Sequence, residues 1–509
     1  MSPGGVFVKD IVTPLAVSGL LVASPDEFSE RLTGITDDSR QVMKGGLFIA
    51  VRGTAQDGHD FIQQARAAGA SVIIAEDALR AVGGPAIIVR DGRKAAAIAA
   101  AAFYGYPARG MRLVAVTGTN GKTTTVGMLR HLLDGGLDGD ADATGAQTDA
   151  SRAASIGTLG VLLGSVGEPV DGGAGLTTPG PVELQRILRV LADRGVGTVA
   201  IEVSSHALAQ NRVEGIAFDA AVFTNLTRDH LDFHGTMESY FAAKASLVSL
   251  LGANGAAVVN VDDSAWNALP KAPCRVTFGT SANPDVRATA VSYQPRGSHF
   301  RLVTAGGSAD VALPLVGDFN VINALGAAAA AIALGEKVGT VAERLSTMPQ
   351  VPGRLDRIGE HPAVLRDYAH TPDALERALT ALRPFVPGRM IVVFGAGGDR
   401  DPGKRPLMGA IAATHADVIV LTSDNPRTED PERIMDDIAV ALPKGGYERI
   451  EDRRQAIARA IALADPENDL VLLAGKGHED YQVRGKQKLH FDEREIVGEL
   501  MASRAGATP

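Results

Sequence analysis

A single cysteine, Cys274, stands in a chain of 509 residues. That excludes an intrachain disulfide and any metal site built from several thiolates, and it suits a reducing cytoplasm. A basic excess is also missing: 50 Lys and Arg face 59 Asp and Glu, a net charge of −9, which argues against a general nucleic-acid binder. Long apolar runs are absent as well. AVSGLLVA (16–23) and ALGAAAAAIAL (324–334) are too short to span a bilayer, and the first lacks the basic flank and cleavage site of a signal peptide. No membrane anchor is expected. With 45% hydrophobic and 21% charged residues the composition is that of an ordinary globular protein. Its length calls for two to four domains.

The most informative segment is GTNGKTTT (118–125), directly after the apolar run LVAVT (113–117). An apolar, β-branched run of that length predicts a buried strand, the glycines a sharp turn, and TTTVGMLRHLL a helix. Backbone N–H groups in such a turn, backed by a helix N-terminus, cradle phosphate. Lys122 can neutralise phosphate charge and the Thr123 hydroxyl can hold magnesium. The spacing departs from G-x-x-x-x-G-K-[ST], because Val116 occupies the first glycine position. The segment predicts a nucleoside triphosphate site.

Three segments follow from the pattern. Residues 1–109 read as a small α/β domain, with PARG (107–110) as a linker. Residues 110–349 alternate strands and helices as in a parallel sheet, with LVAVTG, TVAIEVSS, AAVFTNLT and AAVVNVD as buried strands. Residues 134–155 have almost no apolar content and read as a mobile surface insertion. Residues 350–509 are α/β again. There RMIVVFGAGGDRD, DVIVLTSDNPR and DLVLLAGKGHED each run from an apolar strand into a polar turn, and such turns gather where ligands bind. GAGGDR fails the dinucleotide fingerprint at Arg400.

Several residues invite chemistry. Glu202 ends the strand TVAIE, where a carboxylate could serve magnesium or simply form a salt bridge. Ser204, His206, Gln210 and Arg212 follow as a polar set. TNLTRDHLDFHG (224–235) crowds Asp229, His230, Asp232 and His234 together, which favours a metal or catalysis. Lys244, on an amphipathic helix, reads as solvated from composition alone. In the last segment Asp367 and His370 precede a helix. Arg400, Asp424, Asn425, Arg427 and Glu479 together suit a zwitterionic amino acid, with guanidinium for its carboxylate and carboxylate for its ammonium.

Taken together, GTNGKTTT, EVSSHAL, DHLDFHG, YAHTPDAL, GGDRDPGKRP, DNPRTEDP and GKGHEDYQ resemble the Mur ligases, the ATP-dependent enzymes that add amino acids to the peptidoglycan precursor. The resemblance covers nearly the whole chain and is nearest to the branch that adds 2,6-diaminopimelate. It implies a three-domain α/β fold: a small N-terminal domain for the UDP-linked substrate, a central P-loop-type parallel-sheet ATPase domain, and a C-terminal Rossmann-like domain for the amino acid. It implies a cytoplasmic, monomeric enzyme that uses ATP and Mg²⁺. Such an enzyme activates the D-glutamate carboxylate of UDP-MurNAc-L-Ala-D-Glu as an acyl phosphate, which the incoming amine then attacks.

By motif match, ATP falls to Gly118, Thr119, Asn120, Gly121, Lys122, Thr123, Thr124, Asn320 and Arg354, with Asn323 beside them. Metal falls to Thr123, Glu202, His230 and Lys244, the last as an N6-carboxylysine. Lys122, Glu202, His230, Lys244, Asp367 and His370 form the catalytic set. The UDP-linked dipeptide falls to Ser39, Thr177, Thr178, Ser204, Gln210 and Arg212, with Leu176 departing from the Asn often found there. Diaminopimelate falls to Arg400, Asp424, Asn425, Pro426, Arg427, Gly475 and Glu479. Arg427 argues against relatives that add lysine, which has no distal carboxylate, and against those that polymerise glutamate on folate. The meso isomer is expected, although meso and LL forms present the same charges. A regulatory ATP-hydrolysing switch and an inactive scaffold are the rivals from other classes. The intact C-terminal pocket speaks against the first, and Lys122, Glu202 and His230 against the second.

Overall fold

The computed structural model describes residues 5–25, 31–53, 56–135, 152–173, 175–281 and 283–505. The chain divides into two compact units. One holds Met1–Ala288, Leu302–Ala309 and Ile322–Arg344; the other holds Thr289–Arg301, Asp310–Val321 and Leu345–Pro509. Among the described residues no helix is long and apolar enough to cross a membrane.

Besides a two-stranded pairing of Val6–Phe7 with Arg31–Leu32, the first unit contains two larger sheets. The smaller is built from β1 (Leu21–Ala23), β2 (Ile35–Thr36), β3 (Leu47–Ile49), β4 (Val72–Ala75) and β5 (Ala86–Val89), in the order β1-β5-β4-β3-β2. All pairs are parallel except β1 with β5. Helix α1 (Gly92–Phe103) begins at Asp91, whose carboxylate accepts the N–H groups of Arg93 and Lys94. Its alanines are buried, which lets it lie close on its neighbours.

The larger sheet carries the phosphate loop. Its strands in this unit are β6 (Arg112–Thr117), β7 (Arg152–Gly157), β8 (Gly160–Leu163), β9 (Glu168–Val170), β10 (Val196–Glu202), β11 (Phe218–Phe223), β12 (Leu251–Asn260) and β13 (Cys274–Gly279). They follow the order β9-β8-β7-β10-β6-β11-β12-β13. Leu113 to Val116 are all 0% exposed, because a parallel sheet is covered on both faces. Burying each such large apolar side chain contributes about 1.5–3 kcal/mol. Strand β6 pairs in parallel with β10 and β11, with Glu202 opposite Val116 and Phe223 opposite Thr117. Three strand ends therefore lie side by side where β6 turns into α2 (Lys122–Leu133).

Two sequence expectations change here. Residues 152–155 do not belong to a surface insertion. They open β7, which pairs in parallel with β10 and buries Ala153, Ala154 and Ser155. Small side chains suffice at these crowded central positions, so low apolar content misled. Residues 136–151 lie outside the described residues. The sheet is also not wholly parallel, since β8 pairs antiparallel with β7 and β9.

The second unit holds a sheet of β14 (Asp356–Gly359), β15 (Ala363–Asp367), β16 (Met390–Phe394), β17 (Val418–Leu421), β18 (Glu448–Arg449) and β19 (Leu470–Ala474), in the order β14-β15-β19-β16-β17-β18. Every pair except β14 with β15 is parallel. Helices α3 (Pro372–Leu382), α4 (Lys404–His415), α5 (Pro431–Ala439) and α6 (Arg453–Leu463) connect the strands. Asp367 is opposite Ala474, Val393 opposite Leu473 and Phe394 opposite Leu421. The polar turns after these strands thus share one edge, as the sequence predicts. A hairpin, β20 (Tyr481–Arg484) with β21 (Gln487–His490), follows the last turn.

Candidate active site

The phosphate loop is held from the turn after β11. Thr119 N donates to Asn225 O (2.8 Å), Asn120 N to Asn225 Oδ1 (2.9 Å), and Thr224 Oγ1 to Asn120 O (2.7 Å). Gly118 and Gly121 adopt φ of 148° and 86°. A Cβ at Gly118 would strike Thr224 Oγ1, and one at Gly121 would strike Asn323 Oδ1, so neither position tolerates a side chain. The N-terminus of α2 behind this glycine turn favours an anion there. Lys122 Nζ donates to the carbonyls of Gly118 (2.9 Å) and Thr119 (2.7 Å).

Lys244 reaches the same place. The helix Met237–Ala245 buries it to 1% exposure, and its Nζ donates to Gly118 O at 2.7 Å. This overturns the reading of a solvated lysine. Burial holds its pKa well below the usual lysine value, and Lys122 pushes the same way against Asp229. Tyr240, 0% exposed on that helix, pairs its hydroxyl with Thr119 Oγ1 (3.1 Å).

Glu202 is 1% exposed. Its Oε1 accepts Thr158 N (2.8 Å), and its Oε2 accepts Thr158 Oγ1 (3.1 Å) and Thr123 Oγ1 (3.2 Å). A Cβ at Gly157 would collide with this carboxylate. A buried carboxylate beside a hydroxyl is a hard-oxygen donor set of the kind magnesium takes, since that ion uses one or two carboxylates and keeps several waters. The crowded run 229–234 behaves otherwise. Among the described residues no three His, Cys, Asp or Glu side chains converge on a metal position. Instead His230, Phe233 and His234 pack around the His206 ring at 4.8, 4.2 and 5.5 Å. Burial, then His230, His234 and Arg212, lower the His206 pKa to about 4. His230 is itself lowered by burial, opposed by Asp229 and reinforced by Lys122 and Lys244, which places it in the field of both lysines.

Next to Glu202 lies a polar shelf. Thr178 Oγ1 donates to Glu202 O (2.8 Å) and accepts Ser204 N (3.1 Å). Thr177 Oγ1 is 3.2 Å from Thr158 Oγ1. Arg212 donates to Thr178 O (2.7 Å) and through Nε and Nη2 to Gln210 Oε1. Thr177, Thr178, Ser204, Gln210 and Arg212 thus form one cluster. Ser39 bonds Gln64 Oε1 (3.2 Å), and its neighbour Asp37 feels the charge of Arg212.

In the second unit, Asn320 is buried and donates to Val316 O (2.8 Å). The Arg354 guanidinium lies 5.0 Å from the centre of the Tyr368 ring. Asp367 accepts Leu355 N (2.7 Å), and burial pushes its pKa up to about 6. His370 Nδ1 donates to Tyr368 O (2.8 Å).

The turns after β16, β17 and β19 lie against one another. A Cβ at Gly397 would meet Arg427 Nη1 at 2.8 Å and Arg400 Cγ at 3.8 Å, so both arginines flank this glycine. Arg427 has a left-handed backbone (φ 52°), held by its N–H to Val483 O (3.0 Å) and by Nη1 to Gly398 O (2.8 Å). Asn425 Nδ2 donates to Glu479 Oε2 (2.8 Å). A Cβ at Gly475 would strike Asp424 Oδ2. Burial raises Glu479, opposed by the Asn425 hydrogen bond, reinforced by Asp424, and opposed again by Lys476 and Arg427. The sequence reading overlooked Lys476 and the β20–β21 hairpin. The motif GKGHED contains the lysine, but nothing in it says that the ammonium turns inward.

Three family models cover most of the chain: "Mur ligase family, catalytic domain" over residues 31–104, "Mur ligase middle domain" over 116–331, and "Mur ligase, glutamate ligase domain" over 353–477. The UDP-N-acetylmuramoyl-L-alanyl-D-glutamate–2,6-diaminopimelate ligase of Geobacillus kaustophilus is 45% identical over 473 residues, 90% of this chain and 93% of that protein. The ligase of the same name from Gloeobacter violaceus is 45% identical over 481 residues, 93% and 94% of the two chains. A solved structure of a UDP-N-acetylmuramoyl-L-alanyl-D-glutamate–2,6-diaminopimelate ligase superposes with a TM-score of 0.67 at 32% identity, covering 98% of this chain and 99% of that one.

Proposed function

This chain belongs to the Mur ligase family, in its 2,6-diaminopimelate-adding branch, and we propose that it joins the meso isomer to UDP-MurNAc-L-Ala-D-Glu with conversion of ATP to ADP and phosphate. The observation that carries this reading is the pocket around Gly397. Two arginines stand there to grip a carboxylate, and Glu479 and Asp424 stand ready to accept from an ammonium. A diaminopimelate end carries both groups; lysine lacks the distal carboxylate.

We assign residues 1–109, with Ser39, and the shelf of Thr177, Thr178, Ser204, Gln210 and Arg212 to the UDP-linked dipeptide. Residues 110–349 hold ATP, and 350–509 hold the amino acid. By motif match, Gly118 to Thr124 and Arg354 take the phosphates and Asn320 the adenine side. The glutamate carboxylate oxygen attacks the γ-phosphorus and the bond to the β–γ bridging oxygen breaks, leaving ADP and an acyl phosphate. The amine of diaminopimelate then attacks the acyl carbon and loses a proton, and phosphate departs as the amide forms. Lys122 stabilises charge on the transferring group. Thr123, Glu202 and His230 would hold magnesium, whose charge neutralisation assists phosphoryl transfer.

Lys244 is suited to carbamylation, because a neutral amine is the nucleophile for CO₂. Nζ bonds to the carbon of CO₂ and gives up a proton, leaving a carbamate whose oxygens would serve as ligands for a second magnesium. Asp367 and His370 complete the catalytic set. The enzyme acts as a monomer in the cytoplasm, where its nucleotide substrates are made.

The test is phosphate release with ATP, Mg²⁺ and UDP-MurNAc-L-Ala-D-Glu, comparing meso-diaminopimelate, LL-diaminopimelate and L-lysine, with the product identified by mass. Release that requires meso-diaminopimelate is expected. Preference for the LL isomer overturns the stereochemical assignment, and preference for lysine overturns the pocket reading.

A further inference from the structure

Beneath the amino-acid pocket lies a lysine that no part of the reaction above uses. Lys476 is 0% exposed. Its Nζ donates to Tyr481 O (2.7 Å) and Asn425 Oδ1 (3.1 Å), and lies 3.7 Å from both Asp424 Oδ1 and Glu479 Oε2. The rings of Phe491 and Tyr481 flank it at 5.8 and 5.9 Å. A lysine this deeply buried needs compensating partners, and here both carboxylates of the pocket provide them.

The hydrogen bonds also run in one direction. An ammonium and a backbone N–H can only donate, so Lys476 Nζ and Val483 N (2.9 Å) together fix which end of the Asn425 amide is oxygen. The NH₂ end is then turned to Glu479 Oε2. Gln482 Nε2 ties the hairpin to Asp424 O (2.7 Å), and Val483 O receives the Arg427 N–H. The ammonium thus stands at the head of a chain that ends at the ligand-facing groups.

We infer that Lys476 is a positioning residue for the amino-acid substrate: its buried ammonium orients the Asn425 amide and holds Asp424 and Glu479 as the paired acceptor for the substrate ammonium. This rests on the assignment of the pocket to diaminopimelate. The lysine touches no reacting atom. It acts through Asn425 and Glu479, so its loss bears on capture of the amino acid and not on ATP.

The experiment compares wild type, Lys476→Met, Glu479→Gln and the double variant, measuring KM for diaminopimelate and for ATP, with folding checked by circular dichroism. Lys476→Met is expected to raise the diaminopimelate KM by on the order of tenfold to a hundredfold, the effect of unpairing a buried charge, while the ATP KM moves less than about twofold. In the double variant the diaminopimelate KM is expected to match that of Glu479→Gln alone, because coupled residues are not additive. An unchanged diaminopimelate KM, an equal rise in both constants, or additive losses would overturn the inference. Should Lys476→Met fail to fold, the double variant, which removes one charge of each sign, carries the comparison with Glu479→Gln. Failure of the pocket assignment is read separately: Arg427→Ala and Glu479→Gln would then both leave the diaminopimelate KM unmoved.

Discussion

Lys122 and Lys244 donate to one and the same oxygen, the Gly118 carbonyl, at 2.9 and 2.7 Å. Two ammonium groups sharing an acceptor repel, and the more deeply buried one yields its proton more readily. Lys244 is that one, with burial and Lys122 both lowering its pKa. If the neutral amine takes up CO₂, wild-type activity should fall in CO₂-depleted buffer and return with bicarbonate. Lys244→Ala should lose turnover by on the order of a hundredfold, as for loss of one electrostatic group at a phosphoryl-transfer site, and bicarbonate should not restore it. Wild-type activity indifferent to bicarbonate would remove the carbamate from the mechanism.

Lys122 has a different part. It sits at the first position of the helix behind the phosphate loop. Lys122→Ala should lower kcat by about 10²–10³, some 3–4 kcal/mol of barrier. Single-turnover assays at saturating ATP would check this, and substantial residual ligation would mean that the loop does not carry the reacting phosphate.

What the sequence made legible was contiguous. Gly118 to Thr125 and Asp424 to Arg427 are runs in which strand, turn and candidate side chain follow one another, so local pattern sufficed to place them on the fold. The burial of Lys244 and of Lys476 was not legible because it is decided elsewhere in the chain: the first ammonium meets the Gly118 carbonyl, the second Tyr481 and Asn425. The ring packing within 229–234 was hidden for a related reason. Spacing cannot say that His206 from another turn slots among these rings and takes them into aromatic packing. Residues 152–155 show the limit of composition, since small side chains make a buried strand look like a loop.

Glu202 shares its carboxylate between Thr158 and Thr123. Glu202→Gln keeps the shape and removes the charge. The magnesium concentration for half-maximal activity should rise by about 10- to 100-fold, the usual cost of disturbing a metal's ligand environment. Titrating magnesium at fixed ATP checks this. An unchanged requirement would return Glu202 to the role of a structural hydrogen-bond acceptor for the Thr158 turn.

Arg427 holds a left-handed backbone while its side chain stands over Gly397. Val483 and Gly398 brace this strained residue through its backbone N–H and its guanidinium. Arg427→Ala should raise the diaminopimelate KM by on the order of a hundredfold, the loss of a charge-assisted carboxylate contact, and leave the ATP KM in place. Substrate titrations with each ligand varied in turn decide the matter. Equal damage to both constants would put the pocket in the wrong place.

Asp367 allows a pH prediction whose sign is fixed. Burial raises its pKa to about 6 from an ordinary 3.8, so the folded chain holds this proton where the unfolded chain has released it. The stabilisation is fully present below about pH 4 and is lost as pH rises through about 6, a change of roughly 3 kcal/mol for a shift of this size. Asp367→Asn cannot ionise and escapes that loss. The difference in thermal midpoint, variant minus wild type, should therefore increase from pH 4 to pH 7 and level off above it. The other titrating groups are common to both proteins and drop out of the difference. A difference independent of pH across that range would mean that the Leu355 N–H and the Arg354 charge hold Asp367 ionised throughout, as an ordinary carboxylate.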